Sequence, residues 1–102
     1  MASGKIKNKP PYILEKRTLS GTSFTINFSV YGAEVFAFMW GRFGYDSTVM
    51  SMAIVSHSNL NTVAVKCFGD QTVTATCDGN VVTITTPQPQ ANVSVMSNYE
   101  IT

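Results

Sequence analysis

The stretch Thr22–Val30, TSFTINFSV, sets apolar Phe24, Ile26, Phe28 and Val30 between Ser, Thr and Asn. Residues 91–102, ANVSVMSNYEIT, repeat that alternation near the other end. A period of two is what a strand needs when one face meets a core and the other meets water. The polar positions are filled by hydroxyls and amides rather than charges. The same texture runs from Tyr12 onward, so the chain predicts an all-β fold.

Working outward, Tyr12–Leu19 predicts a first strand turning at Ser20-Gly21, and 22–30 a second that breaks at Tyr31-Gly32. Ala33–Trp40 is apolar on both sides, which predicts a strand that is central or covered on both faces. A loop follows at Gly41–Ser47. Thr48–Ser56 predicts another mostly buried strand, in which Met50, Met52 and Ile54 run at period two, with His57–Asn59 as its turn. Residues 61–68 and 71–77 predict a hairpin around Gly69-Asp70. Asp78-Gly79 is a strong two-residue turn that sets Ala75 opposite Val82 and Val73 opposite Ile84. Pro87-Gln-Pro89 ends that strand, and 92–101 supplies the last. About eight strands at this spacing predict an antiparallel β-sandwich, jelly-roll-like.

Composition limits the function. The 102 residues have room for one domain. Only 13% are charged and 44% are hydrophobic, a balance unlike that of disordered chains. So few charges suit a secreted or virion module, or a protomer that buries surface against its own copies. Residues 1–17 carry a net +4 and the remainder a net −3. Residues 1–11, with Lys5, Lys7, Lys9 and Pro10-Pro11, predict a flexible basic leader, and 12–102 a single sandwich domain. Lys followed by Pro-Pro does not make a secretory signal, and no apolar run is long enough to span a membrane. The body lacks a basic stripe with interleaved aromatics, so nucleic acid is not an expected partner.

Catalytic equipment is sparse. His57 is the one histidine, which excludes a histidine-rich metal site, and no metal or other cofactor is expected. Cys67 and Cys77 would sit far apart along the predicted hairpin, so free buried thiols are expected. The acids are scattered, with Asp70 and Asp78 explained by turns. Gly41-Arg-Phe-Gly44 lacks the Lys-Ser/Thr of a phosphate loop. No enzyme is expected.

One constellation can bind. Trp40, Arg42, Phe43, Tyr45 and Asp46 fall within seven residues at a strand end. Aromatic faces stack on sugar rings, and Arg and Asp bracket hydroxyls. The same residues can instead anchor a protein interface. A third reading has Trp40 and Phe43 filling the core while Tyr45-Asp46 makes a turn.

With its polar-faced strands, its Gly41-Arg-Phe-Gly44 loop and the ending Val93-Ser-Val-Met-Ser97, the chain resembles small β-modules of bacteriophage tail fibres and baseplates. The Gly4-Lys-Ile-Lys7 leader before Pro10-Pro11 is similar to a link from a fibre shaft into such a head. The resemblance implies a homotrimeric β-sandwich on a virion or extracellular surface. Such a module adheres to a host surface glycan or protein without enzymatic activity. A short leader stands in place of a shaft, which fits either a separate small gene product or an excised domain. Two alternatives stay open: a free-standing carbohydrate-binding module using Trp40, Arg42 and Tyr45, and a small phage-encoded inhibitor acting in the host cytoplasm.

Overall fold

A computed structural model describes residues 12–28, 34–59 and 62–102, with the backbone alone for 15–17, 58 and 59. The predicted leader, the break at Tyr31-Gly32 and the ends of three predicted strands (Val30, Ala33, Asn61) lie outside them. The described residues form eight strands and no helix. In chain order these are β1 (Tyr12–Thr18), β2 (Ser23–Asn27), β3 (Val35–Arg42), β4 (Ser51–Asn59), β5 (Thr62–Phe68), β6 (Thr74–Asp78), β7 (Val81–Thr85) and β8 (Asn92–Ser97).

A five-stranded sheet of order β1-β8-β3-β4-β5 packs on a three-stranded sheet of order β2-β7-β6. Every pairing is antiparallel. The protein is a β-sandwich, as the alternation predicts. Its core is shared between the inner faces. Val35, Ala37, Met39, Ala53, Val55, Val93 and Val95 of the large sheet meet Ile26, Val82 and Ile84 of the small one. Phe28 and Phe43, just beyond strand ends, are fully buried among them. The buried side chains of Ser51, His57, Thr86 and Ser97 have partners, as interior polar groups require, whereas the half-buried Gln71 keeps its Oε1 out of solvent with none. The Thr86 hydroxyl lies 2.9 Å from the Gln88 carbonyl oxygen, and Ser97 Oγ accepts the Tyr99 N–H at 3.1 Å.

Several expectations are corrected. β5 and β6 are not a hairpin: β5 pairs only with β4 and β6 only with β7, so Gly69–Val73 carries the chain from one sheet to the other. Gly69 sits at φ 111°, and a β-carbon there would come within 2.7 Å of Ser51 Cα. The two cysteines therefore stand on different sheets, and both are free thiols, half-buried rather than fully buried. The β6–β7 turn is Gly79-Asn80, not Asp78-Gly79. Gly79 takes φ 62° at the first central position, where a type II′ hairpin turn favours glycine. Cys77 then faces Val82 and Ala75 faces Ile84. This slide by two keeps every side chain on its predicted face.

His57–Asn59 is strand, not turn. β4 continues to Asn59 against β5 with a bulge after His57. His57 is buried, its ring 6.3 Å from that of Phe28. Its Nδ1–H donates to the Thr62 carbonyl oxygen at 2.6 Å, which fixes the proton on that nitrogen. At the other end β4 begins at Ser51 rather than Thr48, because the residues before it are bound elsewhere.

β3 is the middle strand of its sheet, yet only its inner face is covered among the described residues. Opposite the core, one row crosses all five strands as Ile13, Met96, Phe38, Ile54 and Lys66. A second runs Ser94, Trp40, Met52 and Phe68. Met52 and Ile54 thus point outward, and Ser51, Ala53, Val55 and His57 form the buried face of β4.

Candidate functional site

The predicted constellation divides at Gly41. Trp40 is half-buried on the outer face, its ring stacked on Phe38 at 5.7 Å. Phe43 turns inward and is fully buried, so it serves the core. Arg42 closes β3, and its guanidinium is spent on its own loop. Nε–H donates to the Gly44 carbonyl oxygen at 3.2 Å and Nη2 to that of Tyr45 at 2.5 Å. Those bonds hold the loop in a tight curve. They use two of the five N–H groups of the guanidinium.

The loop is fixed from its other side as well. Gln88 Oε1 accepts from the Asp46 amide at 3.0 Å and from Gln71 Nε2 at 2.9 Å, and the Tyr45 amide donates to Pro89 O at 3.1 Å. Residues 43–47, 69–71 and 87–90 thus meet in one hydrogen-bonded junction.

Asp70 organises the next segment. Its Oδ2 accepts both the amide and the hydroxyl of Thr48 at 2.9 Å, and its Oδ1 lies 3.2 Å from the hydroxyls of Ser47 and Ser51. The turn aspartate thereby captures residues 47–51, draws them out of the β4 ladder and raises them over the outer face. The Thr48 amide above all, with the Thr48, Ser47 and Ser51 hydroxyls, holds the Asp70 carboxyl well below its usual value, at about 2.

Because the ionised form is favoured in the folded state, this contribution to stability is fully present above the unfolded aspartate value of about 3.9. It is lost as pH falls through about 2. An NMR titration should show the Thr48 amide unchanged at pH 4 and shifting only near the lower value. Asp70→Asn should abolish that titration and speed hydrogen exchange at Thr48; a Thr48 amide that titrates near pH 4 would contradict the arrangement.

Between the raised loop and the sheet lies an open groove of about 470 Å³. Trp40, Gly41 and Arg42 of β3 and Asn92 and Ser94 of β8 form one side, with Ser47, Thr48, Val49 and Met50 as the opposite wall. The structure brings Trp40 and Arg42 to this groove. Tyr45 and Asp46 do not line it. Tyr45 is exposed and is joined to Arg42 through its carbonyl, while Asp46 is exposed on the same loop. Nothing local marks Asn92, Ser94 or Thr48 as lining residues, because the pairing of β8 with β3 and the Asp70 contact bring them to the groove. A ring surface, a cation, an amide and three hydroxyls around an open trough can stack on and hydrogen-bond a flat polar ligand.

Among the described residues no three His, Cys, Asp or Glu side chains come together as a metal site. A second depression, of about 350 Å³, lies beside Glu34, Ser56, His57 and Thr62. The fold and the groove define a small β-sandwich with one candidate ligand trough. The chain matches no protein-family model, and no curated protein or solved structure is detectably similar to it.

Proposed function

We propose that this protein is a non-enzymatic adhesion module of the bacteriophage tail-fibre kind, displayed on a virion or extracellular surface and binding a host surface glycan as an oligomer. The observation that carries the reading is the open trough beside Trp40, where an aromatic ring meets Arg42, Asn92, Ser94 and Thr48. Sugar rings present apolar C–H faces edged by hydroxyls. An indole with amide and hydroxyl neighbours complements both. The scarcity of charge on the strands suits a particle surface, where hydroxyl and amide coats keep the module soluble beside its copies.

The test is binding of the full-length chain to an immobilised set of bacterial surface glycans, with Trp40→Ala and Arg42→Ala beside it. Trp40→Ala should weaken binding at least about tenfold, the equivalent of about 1.4 kcal/mol. Arg42→Ala should weaken it less, since that side chain acts mainly by shaping the loop. Failure of the wild-type chain to bind any glycan, or unchanged binding by a folded Trp40→Ala variant, overturns the reading. Glycan binding by a strict monomer would point instead to a free-standing carbohydrate-binding module.

A further inference from the structure

The outer face of the five-stranded sheet is the largest feature that the ligand trough leaves unexplained. Ile13 is 53% exposed, Phe36 41%, Ile54 40% and Phe68 46%, all on the side away from the core. At about 200 Å² for a large side chain, these four leave about 350 Å² of apolar surface in water. With half-buried Phe38, Met52 and Met96 between them, and Trp40 left to the trough, the total approaches about 450 Å², within the range for the largest patch on a monomer. Lys66 completes the first row, and Phe36 carries the face on beside Ser56 and Ala64; a stable interface takes roughly 800 Å² from each partner, polar surface included.

We infer that this face is covered by a second copy of the chain. Three properties of the surface select that occupant. The apolar area alone is about half of what each partner of a self-association interface contributes. Lys66, at the β5 edge, is the one charge in the two described rows that cross the face, so a copy related by a two-fold axis meets apolar rows rather than like charge. Sheets also stack face to face about 10 Å apart through such rows, the packing this protein already uses between its own two sheets. A lipid surface would call for a cationic rim, which a single lysine does not make.

Trp40 and Ser94 belong both to the second outer row and to the ligand trough. A covering copy therefore borders the trough on the side that is open in one protomer, and the binding site becomes one shared between subunits. This deepens the adhesion reading and depends on it only for the nature of the ligand.

The experiment is the solution mass of the full-length chain by light scattering during size-exclusion chromatography, from low micromolar to near-millimolar concentration. The wild type should run as a multiple of 11.1 kDa. Ile54→Glu puts a carboxylate in the middle of the first row and should weaken association at least about a hundredfold, giving the single-chain mass. Ile54→Thr keeps the β-branched shape and should weaken association by about tenfold while the far-ultraviolet circular dichroism stays native. A wild type that is monomeric throughout the range overturns the inference. So does an assembly whose mass and concentration dependence are unchanged in folded Ile54→Thr and Ile54→Glu. Loss of glycan binding by an intact oligomer would count against the trough alone, so the two readings fail separately.

Discussion

Gly41→Ala should be among the most damaging single-methyl changes in this protein, lowering stability by about 3–5 kcal/mol. Gly41 has φ 141°, a conformation that side-chain-bearing residues rarely adopt, and a β-carbon there would lie 2.1 Å from the Asn92 backbone oxygen. That oxygen belongs to the strand beside it, so relief requires β3 and β8 to separate rather than a side chain to turn. Against a typical domain stability of 5–15 kcal/mol, such a loss removes a large share. Equilibrium urea unfolding is the measurement. Gly21→Ala is the matched control: nothing lies within 4 Å of a β-carbon at that position, so stability should be unchanged or slightly raised. Equal behaviour of the two variants would contradict the close approach of β3 and β8.

Phe43→Ala should cost a similar amount, about 3–5 kcal/mol, for a different reason. Phe43 is fully buried at the point where β3 gives way to the Arg42–Ser47 loop, and removing its ring leaves a cavity between the sheets. Phe43→Leu retains most of the volume and should cost about 1.5 kcal/mol or less. Thermal unfolding distinguishes the pair. Near-ultraviolet circular dichroism of Trp40, close to the same strand end, should report any loosening of the trough before the domain melts. If Phe43→Ala melted like the wild type, the aromatic would not be a core residue.

Trp40 and Phe43 show how far the sequence was informative about the site. Three residues apart, they read as a pair, both at a binding site or both in the core, and the structure separates them: Trp40 is half-buried on the outer face and Phe43 fully buried. Nothing local could place Asn92 and Ser94 beside Trp40, since that depends on β8 pairing with β3 across some fifty residues of chain. The same limit explains the hairpin that is not there. Gly69-Asp70 has turn chemistry whether the chain folds back within a sheet or crosses to the next one, and only the packing of Cys67 and Val73 on the shared core separates the two outcomes. Ser56-His57-Ser58 has turn composition, but the Thr62 carbonyl and the Phe28 ring give the imidazole a buried place that composition does not reveal. Asp70 was legible as a turn residue. Its capture of Ser47, Thr48 and Ser51 was not, because those residues read locally as the start of a strand. The strands were legible where burial alternates residue by residue, as it does in β2 and in β5 through β8.

β8, the last of the eight strands in chain order, sits between β1 and β3 and is hydrogen-bonded to both. During synthesis on a ribosome, β1 therefore waits for β8, its one neighbour among the described strands, until the strands between them have been made. The large sheet is left in two pieces over that interval, with the inner edges of β1 and β3 open to any extended segment that reaches them. Loop closure over so long a separation is slow, and folding on the millisecond-to-second scale is expected for a topology of this kind. The hazard is greatest at high local concentration, where an unfinished chain can accept the β8 of a neighbour and the two become exchanged.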